Sequence, residues 1–336
     1  MNSSSIKPKV LFLLSIDTEE EWDWSGEFPY ENCSVSNTQN IPKFQAFCES
    51  LGIRPTYMVD YAIADDPKSV ATLKPILQNQ QCEIGAHLHP WCNPPLTGPI
   101  TNAESHVVNL PIELTEQKLI ALTEKLRHEF GQQPRSFRTG RWGINKPVMD
   151  LLEESGYTTD SSVYPYYSTE AYSCENAYDH PYWPDSENPL HPGSKRGIFE
   201  LPITAGFNQP NFPLQNQWHQ KLSQQPWSLI KPIGMLWHTR LLRKIYLSPE
   251  LASATDMKAL VKAALVAQPP IIHMFLHSSS LKPGCGQFIK TENDEARLYE
   301  SISSVVEFLQ QQAEVEFCTL SEATEKLTAN INNPTH

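Results

Sequence analysis

Two pairs of residues have the spacing that turns side chains to one side of an extended chain. Asp17 and Glu19 follow one apolar run, and His87 and His89 follow another. In a β-strand, residues i and i+2 project to the same face. Two imidazoles and a carboxylate can bind a divalent metal ion and leave positions open for water and substrate. The pairs therefore predict a metal site with a neighbouring base; the alternatives are a solvated acidic turn and two hydrogen-bonded loop histidines.

Two more polar residues follow apolar runs later in the chain. Arg138 lies in "SFRTGRWG", and a buried arginine beside a carboxylate keeps that carboxylate ionised and oriented. A structural ion pair is the alternative. His277 ends the run "HMFLH", where an imidazole with a pKa near working pH can act as a general acid. His273 lies deeper in the same run and is interpreted as a core histidine.

Apolar runs of strand length alternate with segments of helical periodicity. We predict strands over 10–17, 54–60, 82–87, 135–140, 157–163, 197–204, 270–279 and 315–320, and helices over 40–52, 67–79, 114–131, 145–156, 254–268 and 293–312. Such alternation implies parallel strands joined by right-handed crossovers, in a barrel or an open sheet. The polar residues follow the predicted strands, as in barrels whose functional groups gather at the C-terminal strand ends. The sequence therefore predicts one barrel-like domain.

Two segments interrupt the alternation. Residues 164–196 are rich in Tyr, Pro, Ser and Asn and are interpreted as a long ordered loop over one face. Residues 207–250 contain Trp218, Trp227 and Trp237 and end in the basic, aromatic stretch "RLLRKIYL". This second segment is interpreted as an inserted helical pair; a lid or a membrane-facing patch is the alternative.

Composition restricts the partners and the compartment. With 26 basic and 38 acidic residues the formal net charge is −12, which argues against a nucleic-acid partner. The seven cysteines are odd in number and have no CxxC spacing, which argues against a disulfide framework. The sequence shows no signal peptide and no run of roughly 18 apolar residues. We therefore expect a cytoplasmic protein without a transmembrane segment.

Five short motifs, in this order, resemble the polysaccharide deacetylase superfamily (NodB homology, carbohydrate esterase 4). They are "SIDTEEEW", "GAHLHPW", "FRTGRWG", "FELPIT" and "FLHSSS". Within that superfamily, "HLHPWCNPP" and "HSSSLKPG" resemble the WalW-type branch found among bacterial surface-glycan genes. The resemblance implies an α/β fold, a distorted (β/α)7 barrel of parallel strands over 8–322. Segments 164–196 and 207–250 would be insertions over its C-terminal mouth, and 323–336 a tail.

The resemblance also implies roles for individual residues. The implied catalytic residues are Asp17, Arg138 and His277, and the implied ligands of a divalent ion, zinc, are Glu19, His87 and His89. The fourth motif would place Glu200 in a wall of the site. Tyr57, Trp91 and Trp142 are candidates for the apolar wall against a sugar ring, with ordinary core packing as the alternative.

The sequence departs from the family pattern at two ligand positions. Thr18 occupies the place of the second of two adjacent aspartates, so Glu19 would be the ligand, as in Asp-x-Asp variants. Trp91 stands four residues after His87, where the family has its second histidine. His89 would substitute for it, or the site would bind metal weakly.

The implied reaction is hydrolysis of an N-acetyl group from an amino sugar. The expected substrate is a cytoplasmic glycan precursor, small or linked to a lipid or nucleotide, with peripheral membrane contact through 207–250 as a further expectation. One alternative is a metal-independent C–N hydrolase of the allantoinase-like type, acting on a cyclic amide or ureide. Another is a non-catalytic, glycan-binding relic of the barrel.

Overall fold

A computed structural model of the protein describes residues 7–24, 26–226 and 232–332. Trp227 and the rest of 227–231, within the predicted insertion, and residues 333–336 of the predicted tail lie outside the described residues. Within the described residues the strands are β1 (Lys9–Thr18), β2 (Thr56–Val59), β3 (Glu83–Leu88), β4 (Ser136–Thr139), β5 (Thr159–Asp160), β6 (Phe199–Glu200), β7 (Ala205–Phe207), β8 (Lys244–Tyr246), β9 (Ile271–His277) and β10 (Glu314–Phe317). The α-helices there are α1 (Ile41–Ser50), α2 (Tyr61–Asp65), α3 (Pro67–Gln78), α4 (Ile112–Phe130), α5 (Lys146–Glu154), α6 (Phe212–Ser223), α7 (Pro232–His238), α8 (Ala254–Leu265), α9 (Glu292–Gln312) and α10 (Leu320–Asn332).

Seven parallel strands form a curled sheet in the order β9-β1-β2-β3-β4-β5-β6. One edge of β1 carries β9, and the other carries β10 beside Lys9–Phe12 and then β2 beside Ser15–Thr18. Beyond β6, the Thr204 amide donates a hydrogen bond to the His273 carbonyl of β9 at 3.0 Å. Backbone hydrogen bonding therefore connects the two ends of the curled sheet and continues around the barrel. The prediction of a distorted (β/α)7 barrel is confirmed.

Side chains along β1 alternate between two apolar layers. Leu14 and Ile16 pack in the layer between the sheet and the helices, whereas Leu13 packs inside the barrel. The next two inward positions of β1 are the polar residues Ser15 and Asp17. The barrel interior is therefore apolar at its N-terminal end and polar at its C-terminal mouth.

The strand register brings polar side chains of different strands side by side at that mouth. In the sheet, Asp17 of β1 is the partner of His277 of β9, and His87 of β3 is the partner of Arg138 of β4. Their neighbours Leu88 and Phe137 point the other way, into the layer beneath the helices. Parallel pairing thus gathers residues that are far apart in sequence.

The predicted helices agree with the structure to within a few residues, because their apolar spacing and their ends are marked in the sequence. In α4, Leu119, Leu122 and Leu126 are buried on one face, and the helix ends at Gly131 with a φ of 77°. The predicted strands 157–163 and 197–204 are longer than β5 and β6, which have two residues each.

Two regions differ from the predicted pattern or add to it. The short antiparallel pair of β7 and β8 was not predicted, and its second strand lies in the insertion 207–250. The described part of the predicted tail 323–336 belongs to α10. There Ala323, with Leu320, packs on Leu13 at the apolar end of the barrel. This segment is therefore part of the domain and not a tail.

No helix among the described residues is long and apolar enough to cross a bilayer.

Candidate active site

The carboxylate of Glu19 lies between two imidazoles at the barrel mouth. Its Oε2 is 3.3 Å from His87 Nε2 and 3.2 Å from His89 Nε2, and all three side chains are buried. Burial alone would raise the pKa of Glu19, but the charges of His89 and His277 hold this pKa well below its usual range. Two nitrogen atoms and one ionised carboxylate oxygen therefore face each other.

The remaining ring nitrogens of the two histidines have acceptors. His87 Nδ1 is 3.1 Å from the carbonyl oxygen of Arg138, and His89 Nδ1 is 3.0 Å from Glu20 Oε2. An acceptor at Nδ1 keeps the proton there and leaves Nε2 as the basic atom, as for metal-binding histidines. Both imidazoles are therefore oriented with Nε2 toward Glu19.

These three atoms fit a divalent metal ion. Ligand atoms about 2 Å from a tetrahedral zinc ion lie roughly 3.3 Å apart, close to the 3.3 and 3.2 Å separations between Glu19 and the two imidazoles. The donor set of two imidazoles and one carboxylate also suits zinc. The structure thus brings together the three residues predicted as ligands, Glu19, His87 and His89.

Asp17 is held by a buried ion pair with Arg138. Arg138 Nη1 donates a hydrogen bond to Asp17 Oδ1, and Arg138 Nη2 donates to Ser15 Oγ at 2.8 Å and to Ser161 Oγ at 3.0 Å. Arg138 Nε donates to the Ser161 carbonyl at 2.9 Å. With every guanidinium nitrogen bonded, the arginine offsets the buried charge of Asp17 and fixes the direction of its carboxylate.

His277 lies across from Asp17 and is backed by a second carboxylate. His277 Nε2 is 4.0 Å from Asp17 Oδ2, and His277 Nδ1 is 2.8 Å from Glu250 Oε2. The His277 amide and the Ser280 hydroxyl both donate to Glu250 Oε1. Burial lowers the pKa of His277, but Glu250 and then Glu19 outweigh burial and raise this pKa to about 10. His277 is therefore protonated at neutral pH, with Nε2 facing the carboxylate.

A second buried cluster supports His89 from behind. The Trp91 indole and the Cys92 thiol donate to Glu20, and the Asp60 carboxylate accepts from the Glu20 amide. Burial would raise the pKa of Glu20, but His89 lowers it to about 2, whereas burial and Glu20 raise the pKa of Asp60. Glu20, Asp60, His89 and Cys92 are close enough to hold a metal, but of the four only His89 lines the cavity described next. We therefore assign this cluster to orienting His89.

The predicted catalytic and metal-binding groups meet in one cavity of about 500 Å³. Asp17, Glu19, His87, His89 and His277 line its floor, and Arg138 lies buried behind Asp17. Its walls are largely aromatic and include Trp22, Trp142, Tyr164, Tyr167, Trp237 and Tyr246. Most of these aromatic side chains come from the segments 164–196 and 207–250, so both insertions cover the mouth.

Of the four residues predicted to contact the substrate, only Trp142 lines the cavity. Tyr57 points outward beneath the helices, and its hydroxyl donates to Gln45 at 2.9 Å. Trp91 is buried behind His89, with 4.2 Å between the ring centroids. Glu200 is fully buried and hydrogen-bonded to Asp160. The predictions for Tyr57, Trp91 and Glu200 are corrected accordingly: these side chains support the barrel and do not line the cavity.

Sequence reasoning missed several residues of the site. Glu250 lies in the irregular end of the insertion 207–250, where no periodicity marks an inward-facing carboxylate. Glu20 stands among three consecutive glutamates, so sequence alone does not separate it from a solvated neighbour. The inward position of Arg141 depends on a left-handed backbone with a φ of 62°, which the spacing of residues does not indicate.

No protein-family model and no curated protein matches the sequence. Among solved structures, a candidate glycoside hydrolase/deacetylase from Parabacteroides distasonis is similar over 98% of this chain and 73% of its own, with 10% identity and a TM-score of 0.63. A candidate polysaccharide deacetylase from Mycobacterium smegmatis is similar over 98% and 94%, with 16% identity and a TM-score of 0.55. Puue allantoinase is similar over 98% and 93%, with 11% identity and a TM-score of 0.53. At these identities the likeness shows a shared fold.

Proposed function

From the polysaccharide deacetylase fold of this chain and the groups at its mouth, we propose that the protein is a metal-dependent hydrolase that removes the N-acetyl group from an amino sugar. One observation carries the proposal. The Glu19 carboxylate faces Nε2 of both His87 and His89, in the same cavity as the pair formed by Asp17 and His277. The WalW-type branch stays a prediction.

The proposed chemistry needs a polarised amide, a base and an acid. A divalent ion, zinc in our proposal, held by Glu19, His87 and His89 would polarise the amide carbonyl and lower the pKa of a water molecule. Asp17 accepts a proton from that water as its oxygen attacks the carbonyl carbon, because Arg138 directs one carboxylate oxygen and leaves the other toward the cavity.

The leaving nitrogen needs a proton as the C–N bond breaks, since an amide anion is a poor leaving group. His277 is protonated at neutral pH and its Nε2 lies 4.0 Å from Asp17 Oδ2. It can therefore deliver its proton to the nitrogen on one side of the reacting carbon while Asp17 acts on the other. The products are acetate and a free amino sugar. Transfer of the proton from Asp17 to His277 returns both residues to their starting protonation states.

The substrate is proposed to be a cytoplasmic glycan precursor linked to a lipid or a nucleotide. All seven cysteines are free thiols, as expected for a reducing compartment. The proposal includes peripheral contact of 207–250 with a membrane, because its described part exposes Trp218, Met235 and Leu241. Co-sedimentation with phosphatidylcholine vesicles, with and without anionic lipid, tests this contact, and a protein that stays in the supernatant in both cases contradicts it. A nucleic-acid partner remains disfavoured by the charge of −12.

Metal content and acetate release from purified protein test the central proposal. We expect stoichiometric zinc and acetate release from at least one of a panel of neutral, acidic and nucleotide-linked N-acetyl sugars. Asp17→Asn should lose activity and keep zinc, whereas His87→Ala should lose both. His128→Ala, at an exposed histidine on α4, is the matched control and should change neither.

Three results would overturn the proposal. Full activity after chelation, or hydrolysis of allantoin without acetate release from any sugar, would favour the metal-independent C–N hydrolase. Binding of the sugars without turnover in the zinc-loaded protein would favour a non-catalytic relic.

A further inference from the structure

One cationic side chain on the cavity wall has no acidic partner. Arg141 lines the same cavity as Glu19 and the two histidines, and its guanidinium donates to Asn102 Oδ1 at 2.7 Å and to Ser105 Oγ. No carboxylate among the described residues forms an ion pair with it. A half-buried guanidinium bonded only to neutral groups keeps donors and charge available for an anionic ligand.

Two buried polar atoms beside Arg141 are also without partners. His106 Nδ1 and the Tyr172 hydroxyl are buried and have no hydrogen-bond partner among the described residues. Both side chains line the cavity, and their rings are 5.6 Å apart. His106 directly follows Ser105, the residue that accepts a hydrogen bond from Arg141. A buried polar atom left unpaired has lost its hydrogen bonds to water without replacement, which destabilises the unliganded protein. A ligand that bonds these atoms would remove that destabilisation.

The other cation of the cavity wall is already neutralised. Lys244 Nζ is 3.1 Å from Glu175 Oε1 and donates to the Tyr166 carbonyl at 2.7 Å. The floor of the cavity carries Asp17 and Glu19, and the whole chain has a net charge of −12. Among the described residues of the cavity wall, Arg141 is therefore the cation that remains available to an anionic ligand.

We propose that Arg141, His106 and Tyr172 form a binding site for an anionic oxygen group of the substrate, a carboxylate or a phosphate. This inference rests on the proposed function: the amino sugar deacetylated here carries such a group on the same sugar ring or on the next one. Carboxylate and phosphate oxygens suit the donors of a guanidinium. The Tyr172 phenol adds one hydrogen bond, and the His106 imidazole adds another in the tautomer with its proton on Nδ1.

The position of Arg141 separates this site from the reacting amide. Its guanidinium carbon is 5.4 Å from the centroid of the Phe28 ring, that ring is 4.9 Å from Trp91, and Trp91 is 4.2 Å from His89. Arg141 belongs neither to the proposed ligand set of Glu19, His87 and His89 nor to the pair formed by Asp17 and His277. The anionic group that it would bind is therefore distinct from the acetyl group that is removed.

Binding of sugars that lack the N-acetyl group tests this site without relying on turnover. The probes are glucose, glucuronate and glucose 6-phosphate, titrated into the zinc-loaded full chain by calorimetry or NMR. We expect at least one acidic sugar to bind more tightly than glucose, and the two acidic probes distinguish a carboxylate from a phosphate. Arg141→Gln should weaken the binding of that acidic sugar by about 10- to 100-fold and leave glucose unchanged.

Two variants make the test specific. Arg297→Gln makes the same substitution at an exposed arginine on α9 and should bind all three sugars as the wild type does. Tyr172→Phe removes one oxygen atom and should weaken the acidic sugar by a smaller factor, which keeps the test open if Arg141→Gln does not fold.

Equal affinity for the three sugars, no binding of either acidic sugar, or unchanged binding in both Arg141→Gln and Tyr172→Phe would overturn the anion site. The outcome is separate from that of the proposed function. Selective binding of an acidic sugar without acetate release from acidic N-acetyl sugars would support the anion site and contradict the proposed deacetylase activity. Acetate release that Arg141→Gln leaves unchanged on every substrate would support the deacetylase activity and contradict the anion site.

Discussion

Glu250 lies directly behind the proposed acid, and we predict that it sets the alkaline limit of activity. Burial lowers the pKa of His277, and the Glu250 carboxylate is the largest of the charges, with Glu19 and Asp17, that raise this pKa to about 10. Glu250→Gln keeps the shape and removes the charge, so the pKa of His277 should fall and the protonated acid should be lost at lower pH. In profiles of kcat/KM against pH, we expect the alkaline limb to move down by roughly one pH unit or more.

Glu250→Asp is the control for this prediction, because it keeps the charge and shortens the side chain by one methylene. Its alkaline limb should stay near that of the wild type even if the rate falls. An alkaline limb that stays in place in Glu250→Gln would mean that His277 is not the group whose deprotonation ends activity.

His89 departs from the family spacing, and its contribution to metal binding can be measured separately from that of His87. Nε2 of His89 faces Glu19, and Nδ1 is held by Glu20. We expect His89→Ala to reduce zinc affinity by at least about 10- to 100-fold, the loss seen even for residues that only support a ligand. Competition with a chromogenic chelator measures this affinity.

Glu20→Gln keeps the His89 ring and an amide oxygen in place of the carboxylate that bonds His89, Trp91 and Cys92. Because both Nε2 atoms remain, its loss of zinc affinity should be smaller than that of His89→Ala. Full zinc occupancy and near-normal turnover in His89→Ala would show that His89 is a bystander. Another group, such as Asp17, would then have to complete the coordination.

The catalytic and metal-binding residues that sequence reasoning found share one property: they lie at, or just beyond, the C-terminal ends of strands. Asp17 and His87 are examples, and the structure places both at the mouth. Tyr57 failed because the inward face of a short strand depends on its register: the partner of Asp17 in β2 is Met58, so Tyr57 points outward. Arg141 and Glu250 lie in irregular segments where spacing predicts no direction. Such positions depend on tertiary contacts.

Among the secondary-structure elements, length decided what could be predicted. β1 and α9 extend over 10 and 21 residues, so their patterns repeat often enough to be recognised. β5 and β6 contain two residues each, and β5 depends on the edge of β4 and β6 on the edge of β5. α10 was missed although its sequence has an apolar spacing at Leu320, Ala323 and Leu327.

The packing of α10 leads to a prediction about stability. Leu320 is buried against the apolar end of the barrel interior, in a cluster with Leu13 and Met58. Leu320→Ala should lower the free energy of unfolding by about 2–5 kcal/mol, because it removes buried methyl groups and leaves a cavity. Urea unfolding followed by circular dichroism measures the change.

Ile120→Ala is the matched control, since Ile120 is a large aliphatic residue of α4 that is 48% exposed. Its effect should stay within about 0.5 kcal/mol. Equal unfolding free energies for Leu320→Ala and the wild type would mean that the segment after β10 is a dispensable tail, as its sequence position alone suggested.

In the molecule as a whole, buried charge is concentrated at the C-terminal mouth and apolar packing at the other end of the barrel. Asp17 is offset by Arg138, and Glu19 and Glu250 by histidines. Buried charges are tolerated only when they are paired and hydrogen-bonded. Without a metal, the charges of His89 and His277 keep Glu19 ionised, and a cation bound there would take over that role.

The stability of the whole chain should therefore respond to zinc. A ligand that binds only the folded state adds RT ln(1 + [L]/Kd), about 2.7 kcal/mol at a concentration 100 times Kd. We expect zinc to raise the melting temperature of chelator-treated protein, and His87→Ala to abolish that rise. His128→Ala should keep the full rise, because its exposed ring is remote from the site. Any zinc bound by the seven thiols of the unfolded chain reduces the shift equally in both variants. A rise of the same size in His87→Ala would place the stabilising ion elsewhere, and no rise in the wild type would argue against a metal site at the barrel mouth.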